Sequence, residues 1–152
     1  MRNYYTTSYT EEDYYNLSEN ERAELIDGQF YYMSAPSRIH QKTLNAINNT
    51  IYNYIRSKNG SCEVYPAPFA VKIFKDDTTI VEPDISVICD QNKLTDRGCT
   101  GAPDWIVEPS KQKVFVYYLE KEKFEANSYT FQEKIKVNIY EDLWIDFKEL
   151  NL

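Results

Sequence analysis

Long apolar runs are missing from this chain. No stretch approaches the roughly 20 apolar residues of a membrane-spanning helix, so no membrane contact of that kind is expected. The opening residues, Met1 to Thr7, contain no apolar signal region, and the expected location is the cytoplasm. Cysteine is scarce: Cys62, Cys89 and Cys99 are an odd number with no Cys-x-x-Cys spacing. That pattern argues against a thiolate metal centre and predicts free thiols in a reducing compartment, with Cys89 as ordinary core. Positive charge is in deficit. Against 24 acidic residues stand 17 Lys and Arg, a net charge of −7. Such a balance excludes a protein that coats nucleic acid non-specifically, while leaving room for local basic groups at a site. Internal repeats and low-complexity linkers are absent too, and 152 residues suit one domain spanning 1–152.

What is present is tyrosine, 14 of 152 residues, within a 42% hydrophobic content that is enough for a real core. The paired tyrosines at 4–5, 14–15, 31–32 and 117–118 lack interleaved basic residues. They read as half-buried faces of strands and helices rather than as a stacking platform for bases.

Along the chain, Thr10 followed by Glu11, Glu12 and Asp13 predicts a helix start, and Ser18 to Glu21 has capping-box spacing. Two short N-terminal helical turns are expected. Glu24 to Met33 predicts a hairpin turning on Asp27-Gly28, a pair suited to positive φ. Ser37 caps a long helix to about Lys58, with Leu44, Ile47, Ile51, Tyr54 and Ile55 as its apolar stripe and Asn59-Gly60 as its stop. Strands follow at 62–65, 69–74, 85–89, 105–108, 114–119 and 124–131, the last two as a hairpin. A loop occupies 90–103, and the segment 139–147 is expected to close the sheet. The fold class is α+β, a mostly antiparallel sheet flanked by one long helix and short N-terminal helices.

One position stands apart. Asp84 follows Pro83 at the mouth of the apolar run Ile85 to Cys89, which reads as a buried strand. A carboxylate at the edge of a core is costly unless paired or bound to a metal. Two readings follow from the residues alone: a cap on a turn before a strand, or a ligand. Glu24, His40, Gln41 and Glu108 are its candidate partners. Glu24 opens a hairpin strand, where an exposed acid is ordinary. His40, the only histidine, stands near a helix start, where a surface or capping role is equally ordinary.

Taken in order, several short segments resemble the Uma-two family of restriction-endonuclease-like proteins, within the PD-(D/E)XK nuclease superfamily. They are Glu24-Leu25-Ile26-Asp27-Gly28, Ser34-Ala35-Pro36-Ser37 with His40-Gln41, Pro83-Asp84-Ile85-Ser86-Val87, Leu94-Thr95-Asp96-Arg97-Gly98, and Gly101 to Glu108. Each alone is weak, but their order and spacing together are specific. The resemblance implies a restriction-endonuclease-like core and Mg²⁺-dependent hydrolysis of DNA. It implies Asp84 and Glu108 as metal ligands, with Glu24 as an accessory catalytic acid. His40 and Gln41 match a family position at the start of the long helix.

The chain also departs from the family pattern. In relatives a Ser-Pro-Ser segment, a lysine-bearing helix and a further strand follow the second acid. Here Pro109 to Gln112 alone separate the run at Trp105 from the run at Val114. A parallel crossover needs roughly a dozen residues, so these two runs are expected as antiparallel neighbours with no helix between them. Lys72, Lys111 and Lys113 are candidate substitutes for the lysine, each of which also reads as a solvated surface residue. The departure leaves an alternative: a catalytically inactive fold acting as an interaction module, its exposed sheet edge pairing with a second copy as a homodimer.

Overall fold

The structure is a computed structural model that describes residues 7–110 and 113–150. The N-terminal reading holds for its first half. Thr10 is the N-cap of helix α1, Glu11–Tyr15, in a reciprocal capping box with Asp13. Ser18 to Glu21 forms only a hydrogen-bonded turn, Glu21 N–H donating to the Ser18 carbonyl at 2.9 Å. Arg22 leaves too little chain there for a second helix to propagate before strand β1, Ala23–Ile26.

Strand β1 pairs with β2, Gln29–Tyr32, through Asp27 at φ 48° and Gly28 at φ 75°. Two successive positive φ angles give a turn whose twist matches that of the strands. Helix α2, Arg38–Ser57, begins at its Ser37 cap, whose Oγ accepts from His40 N–H at 3.2 Å. Asn59 at φ 50° ends it. Its stripe of Leu44, Ile47, Ile51 and Ile55 is buried as the 3.6-residue period requires.

The strands that follow are β3 (Glu63–Pro66), β4 (Val71–Lys72), β5 (Ile85–Ile88), β6 (Leu94–Thr95), β7 (Gly98–Thr100), β8 (Trp105–Pro109), β9 (Lys113–Glu120), β10 (Lys123–Thr130), β11 (Lys134–Lys136) and β12 (Trp144–Asp146). The main sheet has the order β10-β9-β8-β5-β3 and is antiparallel throughout. Strand β5 is buried along its length, which is why it reads as a continuous apolar run. One face of this sheet, with Ile85, Val87, Trp105, Val107, Val114 and Val116, packs on the stripe of α2. The opposite face of β5 presents Ile88 to a smaller cluster with Val71 and Cys99. Residues i and i+2 share a face, so that second face also carries Ser86 and, one step before the strand, Asp84.

Four expectations are corrected. Cys62 and Cys89 are joined by a disulfide, and only Cys99 is a free thiol. Counting cysteines missed the pair because it is made by register: Glu63 faces Ile88 across β3 and β5, so the next residues outward meet. The 69–74 run shrinks to the two residues of β4, since its partner β7 has just three. The 90–103 loop is partly ordered into β6 and β7, which with β4 form a three-stranded sheet. The 139–147 segment does not join the main sheet. Its strand β12 pairs with β11, and Ile135, Val137, Leu143, Ile145 and Phe147 close the core instead. No helix of the described residues is long and apolar enough to cross a membrane.

Candidate metal centre

Asp84 sits in a bend just before β5, its carbonyl accepting from Ala67 N–H at 2.8 Å. Across the sheet, Ile85 faces Val107 and Ser86 faces Ile106. One further step along that antiparallel register brings Asp84 opposite Glu108. Directly opposed residues have their Cβ atoms about 4.5–5.5 Å apart, and like charges in such a pair are destabilising. The β5–β8 register therefore builds a carboxylate pair that a lone apo protein would not favour.

The β1–β2 hairpin brings the third acid. Leu25 and Ile80 exchange backbone hydrogen bonds at 2.8 and 2.7 Å, which clamps β1 against the chain leading to Asp84. Glu24 Oε1 then accepts from Glu82 N–H at 2.8 Å. From the other side, the Ser37 cap sets His40 in the first turn of α2, its Nε2 3.4 Å from Asp84 Oδ1. Glu82 is itself held at both oxygens: Tyr14 OH donates to Oε1 at 2.8 Å and Arg22 Nε–H to Oε2 at 2.7 Å. Of these groups, Arg22, His40, Glu82 and Asp84 line an open cleft of about 370 Å³, together with Tyr32 and Gln41 among others.

Charge and burial perturb this cluster. Loss of water raises the Asp84 carboxyl above its ordinary value, and His40 and Arg22 oppose that rise. Glu108 is pushed from 4.5 up to about 7, first by burial, then by the charges of Asp84 and Glu24. Burial, together with the adjoining Glu82, raises the Tyr14 phenol and keeps it a hydrogen-bond donor. Glu108 thus feels the charges of both Asp84 and Glu24, a sign that the three acids lie near one another.

The donor set fits a small divalent cation. Mg²⁺ prefers oxygen ligands, takes one or two carboxylates and keeps several waters. Asp84 and Glu108 would supply those carboxylates, and a cation between them would relieve the repulsion that Glu108 feels from Asp84. Ser86 Oγ, on the same face of β5, is fully buried and has no hydrogen-bond partner among the described residues. Among those residues no three His, Cys, Asp or Glu side chains form a ready-made cage, so any ion here relies on water for its remaining ligands.

Of the lysine candidates, Lys72 and Lys113 do not join the cluster. Lys72 Nζ donates to Glu11 at 2.6 Å and Asp77 at 3.1 Å. Lys113 is exposed at the start of β9, and Lys111 lies outside the described residues, as do Tyr4 and Tyr5. Strands β8 and β9 are antiparallel neighbours, as their spacing predicts, and Ser110 N–H donates to the Lys113 carbonyl at 2.7 Å across the turn. Sequence reasoning passed over Arg22, Glu82 and Ser86. The signal for all three was parity: Arg22 is two residues before Glu24, while Glu82 and Ser86 flank Asp84 at two residues on either side, and alternate residues of a strand share a face.

Comparison with known proteins adds two matches. A family model described as Uma2, "Putative restriction endonuclease", matches residues 11–110, a span that holds Glu24, His40, Asp84 and Glu108 and stops at the β8–β9 turn. The solved structure of a putative nuclease from Anabaena variabilis ATCC 29413 superposes with a TM-score of 0.66 at 17% identity, covering 93% of this chain and 96% of that one. No curated protein matches the chain.

Proposed function

The chain belongs to the Uma2 family of putative restriction endonucleases, and from that membership and the acid cluster we infer a divalent-metal-dependent endonuclease that hydrolyses phosphodiester bonds of DNA. One observation supports the reading: continuing the β5–β8 register by one step puts Asp84 opposite Glu108, and the charges of Asp84 and Glu24 both bear on Glu108. In this reading the two opposed carboxylates hold Mg²⁺ or a similar ion. When bound, such an ion lowers the pKa of a water and offsets charge on the phosphate.

The protein's own residues have separable roles. Asp84 and Glu108 provide the negative charge that draws the cation in. His40 touches Asp84 and orients its carboxylate. Glu24 fixes the Glu82 backbone through its Oε1 and adds to the field at Glu108. Packing of β5 and β8 on α2 keeps the pair on rigid strands, as a site of this precision requires.

A second reading has one observation in its favour. The direct β8–β9 turn leaves no helix in the described residues where relatives place a lysine. The fold would then serve as a silent interaction module, with the exposed edge β10 available to a second copy. The same assay separates the two readings. Incubation of single- and double-stranded DNA with Mg²⁺ or Mn²⁺ should give cleavage that EDTA stops and Asp84→Ala abolishes. Intact DNA across such substrates and both metals would leave the silent module as the better account.

A further inference from the structure

An acid cluster alone repels the phosphodiester it is meant to act on. With Glu82 and Asp84 lining one cleft, and the charges of Asp84 and Glu24 both acting on Glu108, a nucleic-acid backbone gains access only where fixed positive charge meets it. The protein is poor in such charge overall, at −7. Several of its cations are committed elsewhere. Lys72 is held by Glu11 and Asp77, Lys93 by the Ala102 carbonyl at 2.8 Å, and Lys58 by Asp142 at 3.6 Å. Arg97 lies over the Tyr15 ring, 4.4 Å from its centre.

Among the residues lining the acidic cleft, Arg22 alone carries a permanent positive charge. It precedes β1 directly and is aimed by Glu82, which Tyr14 holds from its other oxygen. That anchor uses Arg22 Nε, the only atom of the guanidinium with a hydrogen bond among the described residues. The side chain is 35% exposed while Glu82 is 8% exposed, so the acid is the buried post and the arginine its solvent-facing end. A guanidinium fixed at Nε presents its Nη donors as a planar fork, the geometry that suits phosphate oxygens. Arg22 and Asp84 line the same cleft, which puts the fork on the side of the proposed ion.

We propose that Arg22, held by Glu82 and Tyr14, is the phosphate-binding cation of this cleft and grips the DNA backbone at the bond beside Asp84. The assignment rests on the nuclease reading above. It goes beyond it by naming the residue that offsets the acids of this cleft, and by making a short patch of backbone, rather than a long basic groove, the feature recognised.

The test has a binding arm and a cleavage arm. Binding of a short fluorescein-labelled single-stranded oligonucleotide is followed by anisotropy in Ca²⁺ over a range of NaCl, and cleavage of the same strand in Mg²⁺. Arg22→Gln is expected to weaken binding roughly tenfold or more. It should also lower the slope of log affinity against log salt by about 0.7, one phosphate contact on a single strand. A merely structural arginine would leave that slope unchanged. Arg22→Lys keeps the pairing with Glu82 and the fold but loses the fork, so its affinity should fall between the two; it carries the test if the Gln variant fails to fold. Wild-type slope and affinity in Arg22→Gln, or in Arg22→Lys when that variant carries the test, with cleavage intact, would overturn the role of Arg22 and leave the nuclease reading standing. A wild-type protein that neither binds nor cleaves would overturn both.

Discussion

Glu108 offers the sharpest test of how the site is built. Its carboxyl is raised from 4.5 to about 7, by burial first and then by Asp84 and Glu24. A raised carboxyl in the folded state gives a definite sign. Below about pH 4.5 both the folded and the unfolded chain hold the proton, and the native state bears no penalty from this group. As pH climbs to 7 the unfolded chain releases its proton first, so stability falls through that window and stays low above it. A shift of this size corresponds to about 3 kcal/mol at roughly 1.4 kcal/mol per unit. Because Glu108 keeps some contact with water, screening trims the expected effect to about 1–3 kcal/mol.

Glu108→Gln mimics the protonated form. In EDTA it should match wild type near pH 4.5 and be more stable by that amount at pH 8. That difference equals roughly 2–12 °C in melting temperature at 2–4 °C per kcal/mol for a chain of this size. Thermal unfolding followed by circular dichroism from pH 4.5 to 8.5 reads both curves. Parallel curves, or a Gln variant less stable than wild type at pH 8, would refute the opposed-carboxylate geometry.

Other consequences are more local. Trp105→Ala empties the centre of the main core, where the indole is fully buried, and should cost about 3–5 kcal/mol in denaturant titrations. Cys62→Ser opens the disulfide across a separation of 27 residues. The chain-entropy relation puts its loss at about 3.5 kcal/mol, and wild type under strong reductant should show the same fall in melting temperature. Gly98→Ala meets a φ of 140° and the Ala70 carbonyl. It should destabilise β4, β6 and β7 by about 1–3 kcal/mol, visible as faster exchange of the Cys99 amide, which bonds Ala70 at 2.9 Å.

Features with a local physical cause were legible in the sequence. Asp27-Gly28 announces a hairpin because two residues must take positive φ, and they do. The α2 stripe shows because one helix face must be apolar, and β5 because both faces of a central strand are covered. Asp84 stood out by its place at the mouth of the β5 run, whereas the roles of Glu24 and Glu108 came through the resemblance, since no local rule links residues 24 to 84 positions apart. What stayed hidden depends on register and on short pairings. The Cys62–Cys89 bond exists only once β3 lies beside β5. Strands of two or three residues, such as β4, β6 and β12, are too short to show a period. Arg22 reads as an ordinary polar residue until the hairpin docks and Glu82 takes hold of it.

The central claim is that Asp84 and Glu108 hold one divalent ion between β5 and β8. Electron paramagnetic resonance of Mn²⁺ titrated into the protein at pH 8 measures it directly, because bound ion loses the sharp signal of free ion. The account predicts one bound Mn²⁺ per chain in wild type, displaced by Mg²⁺, and none in Asp84→Asn or Glu108→Gln. Equal uptake by all three proteins, or no uptake by wild type, would contradict it.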